Sequence, residues 1–190
     1  MNVCVFGASS TQIDAQYIMA TEQLGEALAA AGHRLVYGAG GSGLMGAVAR
    51  GMTTGGGHIT GVVPSFLKVD GILYDQCDEM VYTDTMRQRK QEMDERSDAF
   101  VVTPGGIGTY EEFFEIYTLK QLGRHRKPIV IFNINGYFDQ LLSMLEHTVE
   151  ERFMQPICLE LYTVASTAEE VMRQLEQISD SADVEKTKYF

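Results

Sequence analysis

The sequence predicts an α/β fold in which a doubly wound parallel sheet carries helices on both faces. Short, continuously apolar segments alternate along the 190 residues with longer segments of helical periodicity, as in parallel strands joined by helices. Glycine-rich turns follow three of the apolar segments. Because the chain contains neither an internal repeat nor a linker, we expect a single domain over residues 1–178 and a polar C-terminal tail over residues 179–190.

Seven apolar segments are predicted to be strands, and six periodic segments are predicted to be helices. The strands are expected at residues 3–6, 35–37, 59–63, 79–82, 100–102, 129–132 and 162–164. The helices are expected at residues 13–31, 44–52, 84–97, 109–122, 137–153 and 167–178. Residues 65–76 follow neither period, so no element is assigned to them.

Signals at the segment ends support these boundaries. Apolar residues from Ile13 to Leu28 recur at helical spacing until Gly32 interrupts the pattern, and glycine commonly follows the last turn of a helix. Thr167, with Glu170 three residues later, forms a capping-box pattern that indicates a helix start.

The three glycine-bearing turns, at residues 7–10, 38–43 and 103–108, each follow a predicted strand. In a doubly wound sheet the ligand lies beyond the carboxyl ends of the strands. We therefore expect the three turns to lie on one edge of the sheet and to surround one ligand site.

The charge balance argues against some classes of partner. The net charge is −11, whereas a protein that binds nucleic acid normally presents a basic face to the phosphates. A small phosphorylated ligand remains compatible, since backbone N–H groups and one or two cations can hold it. No segment approaches the ~20 apolar residues that a membrane-spanning helix needs. We expect neither a nucleic-acid partner nor a membrane.

The cysteines and histidines give no sign of a metal site. Cys4, Cys77 and Cys158 are widely spaced and odd in number, and the four histidines are scattered, so neither a disulfide framework nor a metal cluster is predicted. The N-terminal segment has the pattern of a strand and lacks the basic region of a signal peptide. A cytoplasmic protein with no metal is therefore expected.

The first glycine loop matches the dinucleotide pattern G-x-G-x-x-G at Gly38, Gly40 and Gly43. An NAD site would also need an acidic residue about 20 positions later to hold the ribose hydroxyls. No Asp or Glu occurs between Gly38 and Lys68, which disfavours that interpretation. Glycines that merely permit a tight turn, or a loop that lines a nucleotide pocket, are the two remaining interpretations.

The second glycine loop, residues 103–112 (TPGGIGTYEE), is more informative. Its three glycines let the backbone approach an anion closely, and the helix predicted to start near Thr109 adds unpaired amides and its positive dipole end. Glu112 has two interpretations. It can close a capping box with Thr109, or it can be a catalytic carboxylate, which needs a compensating cation nearby.

A cation is available on the helix predicted at residues 84–97. Arg89 or Lys90 shares a face with Met86 and Met93, so a charge interrupts the apolar stripe of that helix. The side chain can extend along the edge of the core into solvent. Alternatively, an arginine can point into the site, where its planar group holds a phosphate or orients a carboxylate.

At these residues the chain resembles the LOG family of cytokinin riboside 5′-monophosphate phosphoribohydrolases, often labelled lysine decarboxylase-like. The resemblance is carried by Met86-x-x-Arg89-Lys90 followed by the P-G-G-x-G-T-x-x-E motif at residues 104–112, and it extends from residue 3 to about residue 153. The chain departs from the family pattern at residues 11–14 (TQID).

The resemblance implies a Rossmann-like homodimer that cleaves the N-glycosidic bond of an adenosine 5′-monophosphate, N6-modified or not, without a cofactor. Arg89 and Glu112 would be the catalytic pair. The implied substrate-binding residues are Ser9, Gly40, Gly41, Gly43, Met86, Lys90, Pro104, Gly105, Gly106, Gly108 and Thr109.

Three other functions are weighed against this one. A non-catalytic nucleotide or cofactor carrier on the same fold is the main alternative, because function resides in the site and not in the fold. A dehydrogenase would need NAD and a hydride acceptor. A pyridoxal-dependent decarboxylase would need a Schiff-base lysine with a partner for the ring nitrogen, and no lysine is marked for that task.

Overall fold

The computed structural model describes residues 1–69 and 71–179. Within them the chain forms a single seven-stranded sheet, and every strand pair in it is parallel. The strands are β1 Asn2–Phe6, β2 Arg34–Tyr37, β3 Ile59–Pro64, β4 Glu79–Thr83, β5 Ala99–Val102, β6 Ile129–Phe132 and β7 Thr163–Ala165. Their order, β4-β3-β2-β1-β5-β6-β7, confirms the doubly wound parallel sheet.

Six helices cover the two faces of the sheet. They are α1 Ala15–Ala30, α2 Gly43–Thr54, α3 Met86–Glu95, α4 Ile107–Gln121, α5 Asp139–Glu150 and α6 Ala168–Ser179. Side chains of α1, α2 and α6 share one buried cluster with the sheet. Side chains of α3, α4 and α5 share the other. Helices therefore lie on both faces, as the sequence predicts.

The predicted elements are all present, with shifts at their ends. The helix predicted at 137–153 is shorter: a 3₁₀ turn at Ile134–Gly136 precedes α5, and the left-handed backbone of Arg152, with φ of 64°, follows it. One of the two hydrogen bonds of the predicted capping box of α6 is present. Thr167 Oγ1 accepts from the Glu170 N–H at 3.2 Å, but the Glu170 carboxylate accepts from the Ser166 N–H. The predicted tail lies outside the described residues from 180 onward.

Residues 72–74, part of the segment left unassigned in the sequence, pack against the first glycine loop. Leu73 forms an antiparallel bridge with Gly40, and the Gly41 N–H donates to the Ile72 carbonyl at 2.8 Å. The Tyr74 N–H donates to the Ala39 carbonyl at 2.9 Å. This segment therefore fixes one side of the carboxyl edge of the sheet.

Candidate active site

The three glycine-bearing turns meet at the carboxyl edge and hold one another in place. The Ala8 N–H donates to the Pro104 carbonyl at 3.1 Å, and the Ala8 carbonyl accepts from the Leu44 N–H at 2.8 Å. Gly43 has a φ of 59°, and a Cβ there would lie 2.5 Å from the Ala8 carbonyl oxygen. Ala8 thus joins the other two turns, which confirms that all three share one edge.

The start of α4 forms an anion cradle. Gly106 is the N-cap, and the bond from the Tyr110 N–H to the Gly106 carbonyl is the first of the helix. The N–H groups of residues 107–109 precede that bond, so the helix itself does not satisfy them. A Cβ on Gly106 or Gly108 would meet nothing within 4 Å. The cradle therefore exposes amides and a dipole end that suit a phosphate.

Gly105 and Thr109 have a packing role within the cradle. A Cβ on Gly105 would lie 2.0 Å from Thr109 Oγ1, and Thr109 is only 4% exposed. The absence of a side chain at position 105 is therefore what lets the Thr109 side chain fold against the loop.

Arg89 and Glu112 form a buried ion pair one helical turn beyond the cradle. Arg89 Nη1 donates to Glu112 Oε1 at 2.7 Å, and the two side chains are 9% and 11% exposed. Arg89 Nε also donates to the Val62 carbonyl at 3.2 Å. A Cβ on Gly38 would lie 2.1 Å from Arg89 Nη2, so glycine at that position makes room for the guanidinium.

The environment of Glu112 makes its carboxylate a stronger base than that of an ordinary glutamate. Burial raises the pKa of the Glu112 carboxyl above its ordinary value, and the Arg89 guanidinium opposes that rise. A base whose pKa moves toward neutrality combines partial ionisation with a stronger affinity for the proton. The pair can therefore hold a carboxylate in one orientation while leaving it basic.

The capping-box interpretation of Glu112 is wrong. Helix α4 starts at Ile107 and not near Thr109, because Gly106 takes the N-cap position that the sequence pattern gave to Thr109. Glu112 then lies in the second turn, too far along the helix to cap it, and its carboxylate binds Arg89 instead. The snorkelling interpretation of Arg89 is wrong as well, since that side chain is buried.

The remaining predicted residues lie in different parts of the site. Gly40, Gly41 and Gly43 lie in the first glycine loop, beside the turn that holds the exposed Ser9. Met86 is 41% exposed at the first turn of α3. Lys90 lies farther from the cradle, where its ammonium binds the carboxylates of Glu111 and Glu115. Pro104 is buried beneath the cradle and accepts the hydrogen bond from Ala8.

A cavity of about 350 Å³ lies beside Glu112, between α3 and α4. Its lining residues are Phe6, Arg87, Lys90, Gln91, Asp94, Glu112, Glu115, Ile116 and Leu119. In the part of the chain that the structure describes, no group of three or more His, Cys, Asp and Glu side chains could hold a metal ion. No helix among residues 1–69 and 71–179 is long and apolar enough to cross a membrane.

Sequence reasoning missed three partners of the site. Gly38 and the Val62 carbonyl position Arg89, as described above. The Tyr137 hydroxyl donates to the Gly105 carbonyl at 2.7 Å. A weak signal for Tyr137 was available, because it follows β6 and so belongs to another loop of the carboxyl edge.

The fold and the site together define a Rossmann-like α/β protein with an anion cradle and a buried acid–base pair. A family model described as "possible lysine decarboxylase" matches residues 45–175. The chain is 42% identical over 175 residues to a "probable cytokinin riboside 5′-monophosphate phosphoribohydrolase" of Oryza sativa subsp. japonica, covering 92% of this chain and 71% of that relative. It is 40% identical over 181 residues to a cytokinin riboside 5′-monophosphate phosphoribohydrolase of Arabidopsis thaliana, covering 95% and 83%. The chain belongs to this LOG family.

Solved structures of similar fold include two proteins described as binding or carrying the molybdenum cofactor. One, from Rippkaea orientalis, has a TM-score of 0.70 at 21% identity over 94% of this chain and 95% of that chain. The other, from Chlamydomonas reinhardtii, has a TM-score of 0.72 at 19% identity over 95% and 98%. At such identities the likeness supports the Rossmann-like fold alone.

Proposed function

We propose that this protein hydrolyses the N-glycosidic bond of nucleoside 5′-monophosphates of the adenine or cytokinin type, releasing the free base and ribose 5-phosphate. The observation that carries the proposal is the buried Arg89–Glu112 pair, with its 2.7 Å contact, one turn of α4 away from the anion cradle. Membership of a family whose curated relatives bear the name of this activity supports the same reaction.

The order of groups along α4 suits the order of groups in the substrate. The cradle at the helix start would hold the 5′-phosphate through amide N–H groups. Glu112, three residues after Thr109, projects about one turn farther, where the ribose of a bound nucleotide would lie. A phosphate anchor thus turns the attack at C1′ into a reaction between positioned groups, which is a large source of rate acceleration.

In the proposed reaction, a water oxygen bonds to C1′ while the bond from C1′ to the base nitrogen breaks and its electron pair leaves with the base. Glu112 takes a proton from the water, and the leaving base gains a proton from solvent. The developing positive charge on the sugar is also stabilised by the same carboxylate. A general base of this kind typically contributes about 10²–10⁴-fold.

Arg89 has a separate task in this scheme. Its Nε is held by the Val62 carbonyl and its Nη1 by Glu112, so the guanidinium is fixed before substrate arrives. Nη2 lies against Gly38 in the first glycine loop. Arg89 therefore orients the Glu112 carboxylate, and its positive charge limits the repulsion between that carboxylate and the bound phosphate.

The preference for an N6 substituent is a finer part of the proposal. Exposed apolar side chains stand just after β3 and at the start of α3, among them Phe66 at 62%, Ile72 at 47% and Met86 at 41%. Such a surface suits an alkyl group on the base, whose burial would be favourable. We propose that AMP is also a substrate, but a weaker one.

A homodimer and a cytoplasmic location complete the proposal. Ile107, between two cradle glycines, is 84% exposed, and a partner subunit that covers it would also close the site. All three cysteines are free thiols, which suits a reducing compartment.

The deciding experiment is product analysis after incubation with AMP and with N6-isopentenyl-AMP. We expect adenine or the N6-isopentenyl base together with ribose 5-phosphate. Glu112→Gln, which keeps the shape of the side chain and can still accept from Arg89, should lower kcat by about 10²–10⁴-fold. Circular dichroism and melting would verify that the variant folds.

Two results would contradict the proposal. Full turnover by a folded Glu112→Gln variant would remove the carboxylate from the mechanism. Tight binding of both nucleotides, with each recovered intact after long incubation, would instead identify a carrier.

A further inference from the structure

The loop after β6 contacts the anion cradle through the side chain of Tyr137. The hydroxyl of Tyr137 donates to the carbonyl oxygen of Gly105 at 2.7 Å. Tyr137 lies 32 residues away in sequence and belongs to none of the three glycine-bearing turns. The contact therefore links the cradle to a fourth loop of the carboxyl edge.

This contact fixes the direction of an amide in the cradle. The peptide joining Gly105 to Gly106 is trans, and in a planar trans peptide the C=O and the N–H point in opposite directions. Holding the Gly105 carbonyl toward Tyr137 therefore aims the Gly106 N–H the other way. No described residue accepts a hydrogen bond from that N–H, so it remains available to an anion.

The peptide between Gly105 and Gly106 needs a contact from another loop to fix its orientation. Gly105 and Gly106 have access to backbone conformations that other residues avoid, and Gly106 is exposed. A peptide between two such residues can rotate unless something holds it. The Tyr137 hydroxyl supplies a hydrogen bond to that peptide from outside the loop.

Tyr137 is 38% exposed, and the loop that carries it is tied together by hydrogen bonds. Asn133 Oδ1 accepts from the Phe138 N–H at 2.7 Å, and Asn133 Nδ2 donates to Asp139 Oδ1 at 2.7 Å, which ties down the backbone on either side of the loop. The Tyr137 ring makes edge contacts with Tyr17 at 6.0 Å and Phe138 at 5.0 Å between centroids. Burial, with a smaller contribution from the nearby Tyr110, raises the pKa of the Tyr137 hydroxyl, so the hydroxyl stays protonated at neutral pH.

We infer that Tyr137 is a positioning residue for the anion site: by holding the Gly105 carbonyl it presets the Gly106 N–H toward the substrate phosphate. The inference rests on the proposed function for the identity of the anion. The geometry predicts an effect confined to ligands that carry the phosphate.

The test compares Tyr137→Phe with the unchanged Tyr137 by calorimetric binding of AMP, ribose 5-phosphate and adenosine, both on a Glu112→Gln background so that AMP is not consumed. We expect Kd for AMP and ribose 5-phosphate to rise about five- to tenfold, as for the loss of one hydrogen bond of about 1 kcal/mol or slightly more. Kd for adenosine should stay unchanged. With Glu112 retained, steady-state rates should follow with a higher KM for AMP and a similar kcat.

Tyr117→Phe is the matched control. The Tyr117 hydroxyl also donates to a backbone carbonyl, that of Cys158 at 3.1 Å, but Tyr117 lies near the C-terminal end of α4 and its side chain is in the buried core. Its loss should lower the melting temperature without changing the ratio of AMP affinity to adenosine affinity. A purely structural role for Tyr137 would give that same pattern and would overturn the inference.

The outcomes also separate this inference from the proposed function. If Tyr137→Phe loses affinity for the phosphorylated ligands while wild type leaves AMP intact, the positioning role stands and the hydrolase proposal fails. If wild type hydrolyses AMP and Tyr137→Phe binds it equally well, the hydrolase proposal stands and the positioning role fails. A wild-type protein with no preference for AMP over adenosine would overturn the positioning role too.

Discussion

At the scale of single residues, the chemistry depends on how Glu112 is buried. The carboxyl is removed from water but receives a hydrogen bond from Arg89 at 2.7 Å. Burial and the guanidinium thus act in opposite directions on its pKa, with burial the larger. The pH dependence of the reaction can report on both.

We predict that the acid limb of kcat/KM lies above the pH expected for an ordinary glutamate. The active form is the carboxylate, so a raised pKa means that activity is lost earlier as the pH falls. Arg89→Met removes the cation that opposes the rise, and the limb should move to still higher pH. The check is a pH–rate profile of both proteins with AMP, and a limb that stays in place or moves to lower pH would contradict the role of Arg89.

Glycines within the cradle should separate into two groups. Gly108→Ala adds a Cβ that meets nothing within 4 Å and replaces glycine in a helix, which favours folding by up to ~1 kcal/mol. We expect unchanged or higher thermal stability with a higher KM for AMP, because the methyl group restricts the approach of phosphate. Melting curves and kinetics of this variant are the test.

The comparison variant is Gly105→Ala in the same loop. Its Cβ would lie 2.0 Å from Thr109 Oγ1, so we expect a lower melting temperature as well as weaker binding. Equal stability losses in the two variants would contradict the open space at Gly108, and an unchanged KM for AMP in Gly108→Ala would show that a methyl group there does not restrict phosphate.

At the scale of elements, the site depends on turns that interlock. Gly43 begins α2 with a φ of 59° and lies against the carbonyls of Ala8 and Ser10. Gly43→Ala would combine backbone strain of about 1–3 kcal/mol with that clash. We predict a melting temperature lower by several degrees and a raised KM for AMP, measured by calorimetry and kinetics.

Gly32→Ala provides the control for Gly43→Ala. Gly32 also has a positive φ, of 71°, but a Cβ there meets nothing within 4 Å and the residue lies at the opposite edge of the sheet. It should lose stability without a change in KM. A raised KM in both variants would point to general loosening instead of interlocked turns.

The elements themselves were largely predictable, because period and turn chemistry are local properties. All seven strands and six helices occur where the apolar pattern places them. The start of α4 was misplaced because Gly106 and Gly108 look like turn residues, although one is an N-cap and the other is helical. The arrangement of residues 72–74 escaped prediction, since it comes from pairing with the distant first glycine loop.

The site was predictable in part for the same reason. The motif at 104–112 and the cation at Arg89 lie within short stretches of sequence. The buried contact joins Arg89 of α3 to Glu112 of α4, 23 positions later in the sequence, and only the fold reveals its geometry. The position of Tyr137 after β6 is only a weak signal, because its contact with Gly105 is a long-range hydrogen bond that the sequence does not reveal.

At the scale of the whole molecule, two strongly exposed apolar side chains lie at opposite edges of the sheet. Ile107 is 84% exposed at the carboxyl edge, and Phe153 is 87% exposed beyond the C-terminal end of α5, at the amino edge. If the dimer closes the site, only the first is covered.

We predict that light scattering will give a particle of twice the 21.1 kDa of one chain. At low protein concentration, Ile107→Ser should dissociate to monomers and lose activity. Phe153→Ser should retain both. A monomeric wild type with full activity, or dissociation by Phe153→Ser instead, would contradict this arrangement.

The cavity beside Glu112 separates parts of the facing sides of α3 and α4. Ion pairs of Arg89 and Lys90 cross between these helices, while a space of about 350 Å³ separates parts of their facing sides. Interlocked apolar side chains resist sliding, whereas a gap leaves neighbouring elements room to shift. We predict that a ligand that contacts Arg89 shifts α3 relative to α4. Fluorophores on the outer sides of the two helices would then report filling of the site even where no bond is cut.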